Sequence, residues 1–194
     1  METACAVIAE VSELKPAADE YASRIEKIFM EHGAVKVDRA QSMEEAEALW
    51  AGRKSAFGAI SRKKPLPIQM DPAIPVSKLA EYMDIIEELS IKHRLQIISF
   101  GHVAEGNLHP TVMTDERNKA ELIRAYSAID ELMKKTIELE GTLTGEHGIG
   151  ISKAKYLELE LGKDAIEVMR AIKYALDPAN ILNPGKMMLG EESV

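Results

Sequence analysis

At 194 residues, with 46% apolar and 29% charged side chains, the chain has the makeup of an ordinary globular protein with one sizeable core or two small ones. Its formal charge of −8, from 32 acidic against 24 basic residues, argues against a nucleic-acid partner, because phosphate binding needs a surplus of Lys and Arg. Cys5 is the only cysteine and no apolar stretch approaches the roughly 18 residues of a membrane span, so a cytoplasmic protein without a membrane span is expected.

The segment from Ala4 to Val11 is short, apolar and rich in β-branched residues, which predicts a buried strand. Pro16 fits the first turn of a helix with Tyr21, Ile25, Ile28 and Phe29 on one face, and Gly33 sits where a left-handed residue would end it. The alternation from Val35 to Arg39 predicts a second strand. Ser42 and Glu45 form a capping-box pattern for a helix carrying Ala46, Leu49, Trp50, Arg53 and Phe57. The basic run Arg62-Lys63-Lys64 reads as a solvated helix end, and Lys63 to Pro67 as a break rather than a domain linker. Strand-like sequence resumes from Ile68 to Ile74. Leu79, Met83, Ile86 and Leu89 then recur at helical spacing within Ser77 to His93. Leu95 to Phe100 and Leu108 to Met113 predict two more strands. Asp115 can cap a long helix bearing Leu122, Tyr126, Ile129, Met133 and Ile137, closed by Gly141. A last helix is predicted from about Asp164 to Leu176, stopped by Asp177-Pro178.

This order predicts a single α+β domain over residues 1–194: a mainly antiparallel sheet with helices on one face, plus a C-terminal helical segment. A doubly wound parallel sheet would need a glycine-rich strand-to-helix turn. The glycines of Gly145-Glu-His-Gly148-Ile-Gly150 stand in the reverse of the dinucleotide-binding spacing.

Of the five histidines, His32 and His93 fall at predicted helix ends, where solvated or structural roles suffice. The other three lie in two glycine-rich segments. The first runs Gly101-His102-Val-Ala-Glu105-Gly106-Asn107-Leu-His109-Pro110. If the chain turns back at Glu105-Gly106, His102 and His109 become opposite neighbours with Cβ atoms on the order of 5 Å apart. That spacing suits two imidazoles converging on one metal ion, although packed or hydrogen-bonded histidines are commoner. The second segment, Gly141-Thr-Leu-Thr-Gly145-Glu146-His147-Gly148-Ile-Gly150, flanks a carboxylate and an imidazole with glycines. Glu146 could complete a His2Glu set with open positions, leaving His147 free as a base. An exposed glycine loop with incidental charges is the plain alternative.

The two runs, followed by Asp177-Pro-Ala-Asn-Ile-Leu-Asn183-Pro-Gly-Lys186, resemble the signature of the C-terminal domain of FAD-linked oxidases. That family includes the glycolate oxidase large subunit, D-lactate dehydrogenases and D-2-hydroxyglutarate dehydrogenase. The resemblance takes in Leu49-Trp50-Ala-Gly-Arg53 and Met70-Asp71-Pro-Ala-Ile-Pro75 and covers nearly the whole chain. It implies a ferredoxin-like cap over a flavin, and hydride transfer from the α-carbon of a small 2-hydroxy acid to FAD. His102, His109 and Glu146 match the family's divalent-metal ligands, with zinc expected and manganese or iron compatible. His147 matches the general base. Arg53 matches the arginine that anchors the substrate carboxylate, Asn107 a polar group facing substrate or flavin, and Asn183 and Lys186 positions near the flavin.

The resemblance also implies that FAD is bound mainly by an N-terminal domain. No such region precedes Met1, so an excised domain or a split enzyme is expected, inactive alone, with an FAD-binding domain or subunit and electron-acceptor subunits as partners. Relatives that use dicarboxylates carry a lysine near the position of Gln69, so glycolate or D-lactate is the expected substrate. Ala104-Glu105-Gly106 stands where most relatives have Gly-Asp-Gly, which bears on the hairpin turn. The competing readings are a non-catalytic metal-binding or subunit-interaction module on the same scaffold, and a metal-dependent hydrolase.

Overall fold

The structure, a computed structural model, describes residues 5–188, which fall into two compact units with the boundary between Ala59 and Ile60. The first unit is helical. Pro16 stands in the first turn of α1 (Lys15–Glu31), and Gly33 closes it at φ +87°. At α2 (Met43–Lys54) Ser42 Oγ accepts from the N–H of Glu45 at 3.1 Å. The Glu45 carboxylate accepts in turn from the N–H of Gln41 at 2.7 Å, a capping box shifted by one residue. A short helix, α3 (Ala56–Ile60), follows.

Neither strand predicted in this unit forms. Residues 5–11 and 35–39 are extended or irregular without a ladder partner; Ala4 lies outside the described residues. A strand needs a neighbour for its N–H and C=O groups, and the described residues of this unit supply only helices. None of them is buried.

The second unit carries the core. Strands β1 (Leu66–Gln69), β2 (Gln96–Ile98) and β5 (Thr111–Thr114) form an antiparallel sheet in the order β1-β5-β2, with Ile68 and Ile97 both opposite Val112. Helices α4 (Leu79–His93) and α5 (Lys119–Glu138) pack on each other and on this sheet. Tyr82, Ile86 and Leu89 meet Ala125, Ala128, Leu132 and Met133 there. Two parallel strands joined through a helix and separated by an antiparallel third make the split β-α-β arrangement of a ferredoxin-like sandwich. The fold is α+β with a C-terminal helical segment.

Several boundaries differ from the prediction. The strand expected over 108–113 divides at His109-Pro110 because proline has no N–H for a ladder. Its first part is β4 (Asn107–Leu108), paired with β3 (Gly101–His102); its second is β5. Asn118, not Asp115, caps α5 by accepting from the N–H of Glu121. Asp115 instead pairs with Arg117. Glu140, not Gly141, takes the left-handed conformation after α5, at φ 62°. The last helix, α6 (Leu157–Leu176), begins seven residues before the predicted start and continues across a non-helical Gly162 (φ 76°). No helix among the described residues is long and apolar enough to cross a membrane.

Candidate metal and substrate site

Residues 70–74 form a seam between the two glycine-rich segments. On one edge the N–H of Ile74 donates to the Gly106 carbonyl at 2.9 Å, and the N–H of Leu108 to the Pro72 carbonyl at 2.9 Å. On the other, Ala73 and Thr142 exchange N–H···O bonds at 3.0 and 2.8 Å, and the N–H of Gly145 donates to the Asp71 carbonyl at 2.7 Å. Backbone pairing thus draws together stretches about forty residues apart in sequence. Glycine at position 145 is a requirement of space, since a Cβ there would sit 1.6 Å from Asn107 Nδ2.

The hairpin register differs from the predicted one. His102 stands opposite Asn107, Gly101 opposite Leu108, and the N–H of His109 donates to the Phe100 carbonyl at 2.6 Å. A single 3-10 turn over Val103–Glu105 closes the loop, with Gly106 at φ 74°; Glu105 is not forced into the left-handed region that a two-residue turn would impose on it. His102 and His109 are therefore diagonal rather than direct neighbours. They still share a face, because residues opposite each other and two apart project the same way. Their ring centroids lie 5.6 Å apart, edge to face.

Three imidazole nitrogens converge on one carboxylate oxygen. Glu146 Oε1 lies 3.1 Å from His109 Nε2, 3.4 Å from His147 Nε2 and 3.6 Å from His102 Nε2. The rings of His109 and His147 stack with centroids 5.2 Å apart. Two ligands each about 2.0–2.1 Å from one ion at the tetrahedral angle are about 3.4 Å apart, so each of these His–Glu146 distances is compatible with a shared divalent cation. Asp71, His109, Glu146 and His147 each offer a ligand atom within 4.8 Å of the others.

Asp71 is otherwise engaged. Its Oδ2 accepts from Thr144 Oγ1 (2.7 Å), from the N–H groups of His147 (2.9 Å) and Glu146 (3.1 Å), and from Lys153 Nζ (3.3 Å). Its Oδ1 accepts from Asn107 Nδ2 at 3.0 Å. Burial alone would raise the Asp71 pKa. The bonds from Thr144, Asn107 and the two backbone N–H groups outweigh it and hold the carboxyl well below the usual range. Burial pushes the His109 pKa down, partly offset by Glu146 and Asp71, and it lowers that of Lys153 against the pull of Asp71. The site thus has a buried floor of Asp71, Asn107, His109 and Lys153. Its rim is open, with the side chains of His102, Glu146 and His147 exposed by 45%, 48% and 48%.

Residues 1–187 match the family described as FAD linked oxidases, C-terminal domain. The chain belongs to this family. It is 49% identical over 164 residues to the glycolate oxidase subunit GlcD of Bacillus subtilis (strain 168), covering 84% of this chain and 35% of that one. It is 33% identical over 180 residues to the GlcD of Escherichia coli (strain K12), covering 93% and 36%. With the mitochondrial D-lactate dehydrogenase [cytochrome] of Kluyveromyces lactis it shares 36% identity over 176 residues, 87% of this chain and 30% of the relative. The chain thus spans about a third of the length of the relatives it matches.

Within this family domain the structure brings His102, His109, Glu146 and His147 together. Asn107, expected to face substrate or flavin, is buried and turns its amide onto Asp71. Asn183 (φ 49°) and Lys186 lie exposed on a turn that is tied to the second glycine segment by the N–H of Met187 donating to the Gly150 carbonyl at 2.7 Å. Arg53 lies on α2 in the other unit, half-buried. The sequence reading did not assign Asp71 or Lys153 to the site. A lone carboxylate in the apolar run Ile68 to Ile74 was the available signal for Asp71, because a buried charge demands partners. Lys153 carried none.

Proposed function

We propose that the chain is the substrate- and metal-binding part of a flavin-dependent oxidase or dehydrogenase of small 2-hydroxy acids, glycolate or D-lactate. The convergence of His102, His109 and His147 on Glu146 Oε1 carries this reading, in a domain of the FAD-linked oxidases with relatives named glycolate oxidase subunit and D-lactate dehydrogenase. His102, His109 and Glu146 hold a divalent cation: zinc, or manganese or iron. His147, half exposed on the rim, receives the proton of the α-hydroxyl at Nε2. Arg53 is assigned the substrate carboxylate, which a guanidinium fork grips bidentately. Asn183 and Lys186 are assigned to the flavin side. When bound, the cation would supply polarisation of the hydroxyl oxygen, and FAD would supply the hydride acceptor. The flavin-binding part is supplied elsewhere, on the same polypeptide or another subunit, and electrons leave to acceptor subunits. A reducing, cytoplasmic setting suits the unpaired Cys5.

The test is anaerobic mixing of the FAD-loaded protein, flavin-binding part included, with glycolate and with D-lactate. Bleaching of the flavin absorption by one of them, slowed about 10²- to 10⁴-fold in His147→Ala, is expected. A flavin that stays oxidised with both acids would contradict the reading.

A further inference from the structure

The mechanism above uses the rim of the site and, from its floor, only His109; it leaves Asp71 without a task. Two buried features there stand out. His109 points Nε2 at Glu146 Oε1 (3.1 Å), while its Nδ1 has no hydrogen-bond partner among the described residues. The polar atom facing that Nδ1 is Asp71 Oδ1, at 3.6 Å. The gap is about 0.7 Å beyond an ordinary N–H···O bond, and both side chains are almost fully buried, at 4% and 1% exposure.

We infer that Asp71 is the positioning residue of the site: its Oδ1 orients His109 as the Nδ1–H tautomer, and its Oδ2 holds the backbone of Glu146 and His147. The inference rests on the metal reading proposed above. A histidine that gives a metal its Nε2 lone pair must carry its proton on Nδ1, and a buried carboxylate is a common acceptor for that proton. Asp71 divides its two oxygens between the two motifs. Oδ1 serves the hairpin, through Asn107 Nδ2 and His109 Nδ1. Oδ2 serves the glycine segment, through Thr144 and the N–H groups of Glu146 and His147. One side chain thereby sets the spacing between a ligand from each motif. Lys153 Nζ, 3.3 Å from Oδ2, balances the charge of Asp71. The remaining charge of Glu146 is then available to a cation.

Asp71 is a support for the ligands and not one of them. With Oδ2 already accepting three strong bonds and an ammonium contact, Asp71 acts through His109, Glu146 and His147 and does not compete for the ion. In Asp71→Asn an amide of the same shape cannot accept on both sides, so one arm fails.

The experiment uses the 194-residue chain labelled with ¹⁵N and prepared free of metal, with the imidazole nitrogen shifts of His109 assigned by loss of signal in His109→Gln. The comparison is made in Glu146→Ala, which removes the carboxylate facing Nε2 at 3.1 Å; there His109 is expected to carry its proton on Nδ1, and Glu146→Ala/Asp71→Asn to lose that preference. His109 protonated on Nε2 in Glu146→Ala overturns the inference, and this arm needs no variant of Asp71 to fold. So does an unchanged tautomer in a folded Glu146→Ala/Asp71→Asn. A parallel cobalt(II) titration reads affinity and the d–d absorption bands. Asp71→Asn is expected to weaken binding about 10- to 100-fold with altered bands. Tyr82→Phe, which removes a hydroxyl bonded to Thr136 and not to the site, should leave both unchanged. Cobalt affinity equal to wild type in Asp71→Asn also overturns the inference. Absence of cobalt binding in wild type defeats the metal reading instead, and the tautomer still decides the role of Asp71.

Discussion

The two units of this chain answer the same kinds of local signal with different results. Residues 5–59 contain well-marked helices, with proline at the start of α1, a left-handed glycine after it and a capping box on α2, yet none of them is buried. Residues 60–188 contain weaker punctuation and a packed core in which Tyr82, Val112, Leu132, Met133 and Leu143 are fully or almost fully buried. Helix formation can be written locally, because every backbone hydrogen bond stays within the element. Strands and metal sites cannot, since they exist only where a second segment arrives. Both predicted strands of the first unit lack such a partner, while those of the second find one in β5.

Substitutions in matched pairs test this contrast. The largest effect is expected in the core. Leu132→Ala should lower the free energy of unfolding by about 2–5 kcal/mol in urea titration, whereas Leu49→Ala, at 41% exposure on α2, should change it by less than about 0.5 kcal/mol. Equal costs would break the comparison. Two glycines give the next pair. Gly145→Ala drives a Cβ into Asn107 and should cost about 1–3 kcal/mol together with loss of metal binding. Gly33→Ala meets no atom within 4 Å and should cost only the strain of φ +87°, about 1 kcal/mol, with metal binding intact.

The helix caps sharpen the comparison further. Asn118→Ala removes the acceptor for the N–H of Glu121 at the head of a helix embedded in the core, and should lower global stability by about 1 kcal/mol. Ser42→Ala removes an equivalent bond, but its effect should appear as faster amide exchange within α2 and leave the main unfolding transition in place. The smallest effect concerns alkaline pH. Burial, aided by the bond to Asp130, pushes the Tyr156 phenol up to about 12, and burial also raises that of Tyr82. The folded state then favours the protonated form of both. Their contribution is fully present below the unfolded value of about 10 and is lost as pH rises from there towards 12. Melting temperature followed from pH 8 to 12 should fall more steeply in wild type than in Tyr156→Phe. Parallel curves would contradict the assignment.

What the sequence conveyed follows the same division. The helix read from the spacing of Leu79, Met83, Ile86 and Leu89 and the capping pattern at Ser42 both form, because both are properties of one segment, although Met83 is exposed and Tyr82 takes the buried position beside it. The two glycine-rich segments were legible as a candidate site, for clustered histidine and glutamate among glycines have little packing to do. Their geometry was less so. The hairpin register came out two residues from the predicted one, because the loop closes with a 3-10 turn that the residue types do not single out from a tighter one. The helix start at Leu157 was hidden by Gly162, which reads as a breaker yet is accommodated as a kink. Asp71 is the sharpest case. In sequence it is one acid in an apolar run; in the fold it accepts bonds from residues 36 to 82 positions away.

The central claim, that the two glycine-rich segments build one metal centre, is tested most directly by metal analysis of the purified 194-residue chain beside His102→Ala/His109→Ala. About one zinc, manganese or iron per wild-type chain, absent from the folded double variant, is the predicted result. Equal metal content in the two proteins, or none in a wild-type chain dialysed against all three ions, would contradict it.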